Sequence, residues 1–384
     1  MNIVLLSHSR LYRDPRILRQ ISWTTSISSS AQITTIGCGP KPEGAHHHHE
    51  IPVTKLMGRL FAYSVLRRKR RFDFLYGKHL DQVLPNVFQN ADLIIINEVE
   101  YLPHSSFLDS EVRVTPTYLD LHEDHTGPFD RGFLERLAFR KYGAWQFAEA
   151  LKFVRTRIGT AAVTSVEESI AKSYSNLMSR DVDVIQNAPN NNNLTPTHVE
   201  PDRVRLVHHG MGTSGKGIET SIRALKRLDA RYTLDLILFS TKWFDFKIRA
   251  LSLMSGVSQR VRILPGVPLD QLPKTLNDYD VALVIMSGTT QGLWKALPNK
   301  LFESIHAKLA IVCGPNPSIR KVVVEHSLGI SLSHTSAQTI AEALNNTSTQ
   351  EWIRFKSAAS VAAPSLSASQ GRDTFGRILD GLLS

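Results

Sequence analysis

Cysteine and long apolar runs are both scarce in this sequence of 384 residues. The only cysteines are Cys38 and Cys313, too few for a disulfide framework or a cysteine-based zinc site. No run approaches the roughly 18 uninterrupted apolar residues of a membrane-spanning helix. The N-terminus also lacks the basic and long apolar regions of a signal peptide. These absences predict a soluble protein of a reducing cytoplasm, and the length suits about two domains.

Positive charge is plentiful but unevenly distributed, with a net charge of +10. Residues 1–200 hold 23 basic and 21 acidic side chains, a net +2, whereas residues 201–384 hold 22 and 14, a net +8. A dense basic cluster with interleaved apolar residues lies between Lys55 and Phe72 and includes Arg67, Arg68, Lys69, Arg70 and Arg71. Such a segment suits an anionic membrane surface, which would make the protein peripheral at the inner face of the plasma membrane. Alternatively, this cluster could contact the acceptor or nucleic acid phosphates, or it could simply face solvent.

Short apolar runs alternate with helix-length segments along the chain, which predicts parallel sheets with right-handed crossovers. Several runs are apolar throughout, as expected when helices cover both faces of a sheet. The predicted strands are Ile3–Leu6, Ile33–Ile36, Leu93–Ile96, Val114–Leu119, Ala161–Thr164, Val182–Ile185, Val204–Val207, Leu234–Phe239, Val261–Leu264, Val281–Ile285 and Ala310–Val312. The predicted helices are Arg131–Phe153, Val166–Tyr174, Gly217–Leu228 and Lys300–Ala307.

An Asn- and Pro-rich stretch from Asn187 to His198 interrupts this alternation and predicts a linker. The expected architecture is therefore α/β, with two Rossmann-like parallel-sheet domains facing across a cleft. The predicted parts are an N-terminal domain at 1–188, a linker at 189–201, a C-terminal domain at 202–350 and a C-terminal helical segment at 351–384. Ligands of open α/β sheets bind at the carboxyl ends of the strands, so we expect the chemistry there.

A glycine-rich turn follows the first strand after the linker. Gly210, Gly212 and Gly215 match the dinucleotide pattern GxGxxG, but the nearby acid, Asp235, lies inside the next strand rather than at its end. The loop also approaches a Walker A motif, yet Gly217 stands where a magnesium-binding hydroxyl is needed after Lys216. What remains is a phosphate site on a helix N-terminus with one lysine, or an ordinary strand-to-helix turn.

A second segment, Trp294 to His306, follows a Gly/Thr-rich loop that ends at Gly292. Pro298 suits the first turn of a helix. Asn299 and Lys300 would then lie at the start of that helix, and Glu303 would lie one turn further on. A carboxylate there can accept hydrogen bonds from both hydroxyls of a ribose, or it can simply complement the helix dipole.

Five segments together resemble the GT-B, family-4-type (group 1) glycosyltransferases, in particular a bacterial subgroup with the donor helix ALPNKLFE. They are DPRILRQ at 14–20, YLDLHE at 118–123, IQNAPN at 185–190, GMGTSGKG at 210–217 and ALPNKLFE at 296–303. The resemblance spans most of the chain. It implies the GT-B fold, with the C-terminal helix packing back towards the first domain.

The resemblance also implies roles for single residues. Glu303 would bind the nucleotide ribose, and Lys216 would bind the donor diphosphate together with Gly210, Gly212 and Gly217. Asn299 and Lys300 would approach the phosphates from the donor helix. His122 would contact the transferred sugar and, with Lys216, count as catalytic.

Two positions depart from the family pattern. Lys295 stands where the family has the first glutamate of its E-x7-E motif. Met211 stands close to the position at which the family often has an arginine in the diphosphate loop. Lys295 and Gly292 remain candidates for contacts with the sugar. These departures remove any basis for naming that sugar.

The resulting hypothesis is a retaining hexosyltransferase of polysaccharide or glycoconjugate biosynthesis. It would use UDP- or GDP-sugar and a glycan, lipid-linked or small-molecule acceptor, with no cofactor, no metal and no nucleic acid. A non-catalytic GT-B-like binding subunit, a sugar-nucleotide epimerase of the same fold and a basic nucleic-acid-binding protein are the alternatives. Two further motifs could suggest metal binding but receive no role. The DxD motif of Asp181 and Asp183 lies just before the linker, and the histidine run His46–His49 is expected in a solvent-exposed loop.

Overall fold

The computed structural model describes residues 1–51, 86–98, 115–122, 161–286 and 297–384, with the single positions 148, 152 and 294. These residues form two compact units. The first contains the described part of 1–186 together with 371–384, and the second contains the described part of 187–370. No helix in these ranges is long and apolar enough to cross a lipid bilayer.

The first unit is built on a seven-stranded sheet with the order β3-β2-β1-β4-β5-β6-β7. Every pair of neighbouring strands is parallel. The direction of winding reverses between β1 and β4, as in doubly wound nucleotide-binding sheets. The strands are β1 Asn2–Arg10, β2 Gln32–Cys38, β3 His47–Ile51, β4 Leu93–Asn97, β5 Thr117–Leu121, β6 Ala161–Ser165 and β7 Asp183–Val184.

Among the residues that the structure describes, three α-helices accompany this sheet: α1 Pro15–Ile27, α2 Glu168–Met178 and α10 Ala368–Leu383. Asp14 begins α1 because its carboxylate accepts hydrogen bonds from the N–H groups of Arg16 and Ile17, and Pro15 fits the first turn. In α10, the ring of Phe375 packs on the rings of Trp23 and Tyr118 at 5.5 and 5.6 Å. The prediction that the C-terminal helix packs back on the first domain is therefore confirmed.

The prediction of a solvent-exposed loop at His46–His49 was wrong. His47–Ile51 form the edge strand β3, which pairs in parallel with β2. Histidine and glutamate side chains obscure the usual apolar pattern of a strand here. Backbone pairing and two side-chain contacts hold the segment instead: His48 Nδ1 lies 2.9 Å from Thr35 Oγ1, and its Nε2 lies 2.8 Å from the Gly39 carbonyl oxygen.

The second unit contains a six-stranded parallel sheet with the order β10-β9-β8-β11-β12-β13. This order matches the Rossmann pattern and again reverses beside the first strand, between β8 and β11. The strands are β8 Val204–Gly212, β9 Tyr232–Ser240, β10 Val261–Pro265, β11 Val281–Val284, β12 Ala310–Cys313 and β13 Gly329–Ser331. β13 was not predicted from the sequence because its three residues show no apolar run.

Helices cover both faces of this second sheet. Strand side chains alternate between two buried clusters, so Leu206 and Leu234 pack in one while Val207 and Ile237 pack in the other. This alternation explains why the strand sequences are apolar throughout. In the described part of this unit, the α-helices are α3 Ile218–Leu225, α4 Lys242–Met254, α5 Leu272–Asn277, α6 Asn299–His306, α7 Pro317–Glu325, α8 Ala337–Asn345 and α9 Thr349–Ala362.

The segment predicted as a linker has neither helix nor strand from Asn187 to Val199. It is nevertheless attached to the second unit, because Thr197 Oγ1 donates a hydrogen bond to the Asn277 carbonyl at 2.9 Å. Thr197 also accepts a hydrogen bond from Lys356 Nζ of α9 at 2.8 Å. The predicted C-terminal helical segment holds two helices, α9 and α10, and the division between the units falls within α10.

Candidate functional site

The candidate site of the second unit lies where the sheet order reverses, at the carboxyl ends of β8 and β11. The predicted glycine loop is shorter than expected, because β8 continues through Gly212 and pairs with β9 as far as Ser240. Gly210 and Gly212 are therefore strand residues, and the turn itself runs from Thr213 to Gly217. Gly212 passes so close to β9 that an added Cβ would lie 2.5 Å from the Cβ of Ser240.

Gly217 is the residue at which this turn becomes helix α3. Its φ of 79° lies in the left-handed region, and an added Cβ would lie 2.6 Å from the Cβ of Ile285, just after β11. Only glycine allows the turn to pass this closely beside the neighbouring strand end. The backbone N–H groups at the start of α3 are thereby held at the switch point, where a helix N-terminus favours a phosphate group.

Two lysines from different elements lie close together at this turn. Lys216 belongs to the turn itself, and Lys300 belongs to the beginning of helix α6. Burial and the positive charge of Lys216 lower the pKa of Lys300 to about 8, although Glu303 opposes the shift. Lys300 Nζ also lies 3.3 Å from Nε2 of the buried His208, whose pKa is lowered by burial and by Lys300. Concentrated positive charge of this kind matches an anionic ligand.

Glu303 is placed one turn further along α6, and its side chain is 15% exposed. Its Oε2 lies 2.9 Å from Nε2 of the buried His209, which orients the carboxylate. A carboxylate offers about four acceptor positions, so this contact leaves capacity for two ligand hydroxyls. Asn299 begins the same helix and is half-buried. The structure thus brings Lys216, Gly217, Lys300 and Glu303 to one end of the second sheet.

Asp235 has a structural role that explains its position inside β9. It is buried, accepts hydrogen bonds from Arg262 of β10, and accepts one from the Tyr279 hydroxyl at 2.7 Å. Its side chain is therefore committed to packing at the middle of the sheet. This arrangement agrees with the sequence argument against a dinucleotide fingerprint, in which an acid at the strand end binds the ribose.

The first unit has a separate buried polar network at the carboxyl ends of its strands. Asp120 of β5 is fully buried and forms a bidentate pair with Arg16 of α1, at 2.5 and 2.6 Å. Its two oxygens also accept hydrogen bonds from Gln20 and Thr164, each at 2.7 Å. Burial alone would raise the pKa of Asp120, but Arg16 and His122 hold it far below its usual range.

His122 follows β5 directly and is the exposed end of this network, with 21% of its side chain accessible. Its Nε2 lies 3.2 Å from Asp120 Oδ2, and its Nδ1 lies 3.5 Å from Glu98 Oε1. Burial disfavours the imidazolium, yet the two carboxylates outweigh it and raise the pKa of His122. Glu98 also accepts the backbone N–H of His122 at 2.6 Å. Both ring nitrogens are therefore directed by carboxylates.

Sequence reasoning placed His122 at a strand end but did not assign roles to Arg16, Gln20, Glu98 and Asp120. A signal was present, because Arg16 and Gln20 belong to the DPRILRQ segment and Asp120 belongs to YLDLHE. Other predicted site residues lie outside the described residues. They are Gly292, Lys295, Arg67, Arg68, Lys69, Arg70 and Arg71. The predicted helix Arg131–Phe153 also lies outside the described residues, apart from positions 148 and 152.

Comparisons with known proteins agree with this architecture. Residues 197–361 match the family model described as Glycosyl transferases group 1, a little under half of the chain. Anabaena HepE in complex with UDP-glucose has a similar structure, with a TM-score of 0.72, 14% sequence identity and all of both chains covered. No curated protein sequence matches the chain.

Two further solved structures are similar over nearly their whole lengths. Sucrose-phosphate synthase from Thermosynechococcus elongatus has a TM-score of 0.74 at 12% identity, covering 99% of this chain and 98% of that one. WaaG, a glycosyltransferase involved in lipopolysaccharide biosynthesis, has a TM-score of 0.67 at 13% identity, covering 99% and 100%. At such low identities these similarities identify the fold, which is the GT-B arrangement of two parallel α/β sheets.

Proposed function

We propose that this protein is a group 1, family-4-type glycosyltransferase that moves a sugar from a nucleoside diphosphate donor to an acceptor hydroxyl. The observation that carries the proposal is the convergence of Lys216, Lys300 and Glu303 at the switch point of the second sheet. Further support comes from the family model over 197–361 and from the UDP-glucose bound to the structurally similar HepE. We further propose a hexosyl donor and retention of anomeric configuration.

In this proposal the nucleotide binds with its ribose hydroxyls on Glu303 and its diphosphate near Lys216, Lys300 and the N-terminus of α3. Negative charge grows on the diphosphate as the glycosidic bond breaks, so positive groups held there stabilise the transition state. Each preorganised donor of this kind typically contributes about 10² to 10³ in rate. The proposed role of His122 is to contact and position the transferred sugar.

The site makes a direct prediction for nucleotide binding. We expect Lys216→Ala and Glu303→Ala each to weaken UDP or GDP binding at least tenfold, because each removes a charge-assisted contact. Glu303→Gln removes the charge but can still hydrogen-bond His209, so it separates ligand contact from local folding. Lys226→Ala and Glu342→Ala change exposed residues of the same unit and serve as matched controls.

Isothermal titration calorimetry with UDP, GDP, CMP, NAD and ATP measures these affinities. Wild-type affinity in both alanine variants would contradict the site, and binding of NAD or ATP alone would contradict the nucleotide class. Titration in the presence of a chelator tests the accompanying proposal that no metal ion is needed. Release of UDP or GDP from a nucleotide sugar then distinguishes a transferase from a non-catalytic binding subunit, the alternative favoured by Lys295 in place of the family glutamate.

A further inference from the structure

Helix α4, Lys242–Met254, has large apolar side chains on both its inner and its outer face. Phe244, Ile248 and Ser252 are buried against the second unit, as expected for a surface helix. The outer face is expected to be polar in a soluble protein. Instead, four large apolar side chains on it are exposed: Trp243 by 73%, Phe246 by 62%, Leu253 by 71% and Met254 by 84%.

These side chains form one surface, here called the α4 face, rather than isolated exposures. Its members are spaced three or four residues apart, which places them on one side of the helix. They are Trp243, Phe246, Ala250 and Leu253, together with Met254 next to Leu253. The rings of Trp243 and Phe246 stack with their centroids 5.8 Å apart. A contiguous apolar patch of this kind on a soluble unit marks an interaction surface.

Basic residues border the α4 face on both sides. With 100° per residue, Lys242 and Arg249 lie on one edge of the apolar stripe and Lys247 lies on the other. Exposed Arg223 of α3 adds a fourth cation across a groove of about 660 Å³, which Trp243, Phe246 and Met254 also line.

The acids near this face are already engaged. Glu219 accepts hydrogen bonds from Ser214 and Lys247, each at 2.8 Å, and Asp245 accepts one from Ser240. Four basic side chains thus face two carboxylates, so positive charge remains in excess although Lys247 is paired with Glu219. The positive charge around the α4 face agrees with the net charge of +8 over residues 201–384.

We infer that the α4 face binds the surface of an anionic lipid bilayer, with its aromatic and aliphatic side chains at the headgroup boundary and its cations on lipid phosphates. Trp and Phe favour this boundary, and basic residues beside an apolar stripe are the pattern of interfacial helices. A symmetric dimer through the same face would place the cations of one copy against those of the other, which opposes self-association. The inference concerns an interaction surface and does not rest on the proposed transfer reaction, although the adjoining groove is also lined by Gly215 and Gly217 of the proposed diphosphate turn.

Vesicle co-sedimentation of the full chain tests this inference. We expect binding to phosphatidylcholine vesicles that also contain phosphatidylglycerol, weaker binding to phosphatidylcholine alone, and a decrease with added salt. The paired variant Trp243→Ser with Phe246→Ser removes the aromatic contact, and Lys242→Glu with Arg249→Glu reverses two charges. Each pair is expected to reduce binding to the anionic vesicles at least tenfold.

Val361→Ser on α9 is the matched control, because Val361 is 82% exposed in the same unit but lies outside the α4 face. UDP affinity is measured in every variant, so loss of the nucleotide site or of the fold is detected separately from loss of lipid binding. Wild-type vesicle binding in both paired variants would overturn the inference. So would a wild-type protein that ignores vesicles but forms a dimer, or binds single-stranded nucleic acid, through these residues.

Discussion

Lys300 illustrates how a single buried cation can report on ligand binding. Burial and the nearby charge of Lys216 lower its pKa to about 8. A bound diphosphate would add negative charge, which favours the protonated amine and raises that pKa again. Binding above pH 8 must therefore take up a proton, so the affinity for the nucleotide depends on pH.

We expect UDP affinity to fall as the pH rises from about 8 to about 9, by up to tenfold per pH unit. Lys300→Arg keeps its charge throughout this range, so its affinity is expected to show a flatter dependence. Calorimetric titrations of both proteins at the same pH values measure the difference, and titration of the nucleotide itself cancels in the comparison. Identical pH profiles would show that Lys300 does not sense the diphosphate.

The buried polar network around Asp120 shows a second effect at the residue scale. Residues far apart in the sequence set the orientation and protonation of one side chain, His122. Arg16 neutralises Asp120, and Asp120 in turn directs Nε2 of His122. A histidine at a strand end is a weak signal when considered alone. Its protonation and orientation follow from partners that lie up to about a hundred residues away in the chain.

At the scale of elements, the turn between β8 and α3 depends on close passage beside the end of β11. Gly217→Ala would introduce both an unfavourable positive φ and a clash with Ile285. We expect a loss of at least about 1 kcal/mol in unfolding free energy from the backbone conformation alone, with a further loss from the clash. UDP affinity is expected to fall at least tenfold, because the turn and the start of α3 must shift.

Gly256→Ala is the matched control for this change. Gly256 also has a positive φ, of 71°, but an added Cβ there would meet nothing within 4 Å. It should therefore lose only the conformational part of the free energy and retain nucleotide affinity. Thermal unfolding and calorimetric titration measure both quantities. Equal behaviour of the two variants would mean that contact with Ile285 is not what shapes the turn.

At the scale of the whole molecule, the residues proposed to bind the nucleotide, Lys216, Lys300 and Glu303, all belong to the second unit. We expect hydrogen exchange to show that UDP protects residues 213–218 and the first turn of α6, since both contribute to the proposed site. Edge strands β3 and β10 are internal controls and should exchange at unchanged rates. Protection confined to the first unit would contradict the placement of the nucleotide.

Much of this architecture was predictable from local patterns. The predicted strands in the described residues are all present, because apolar β-branched runs covered on both faces are distinctive. β3 and β13 were missed since one is rich in histidine and the other has only three residues. The extension of β8 to Gly212 was also missed, because pairing with β9 outweighs the usual weakness of glycine in strands.

The amino-acid sequence by itself determined the alternation of strands and helices, the parallel sheets and the segments that carry Lys216, Lys300, Glu303 and His122. Those features follow from local periodicity, helix-start signals and short motifs. Only the tertiary structure decided which side chains meet: His209 with Glu303, Lys300 with His208, and Arg16 with Asp120. It also decided that Trp243 and Phe246 face solvent, because burial depends on packing between elements that no local pattern specifies.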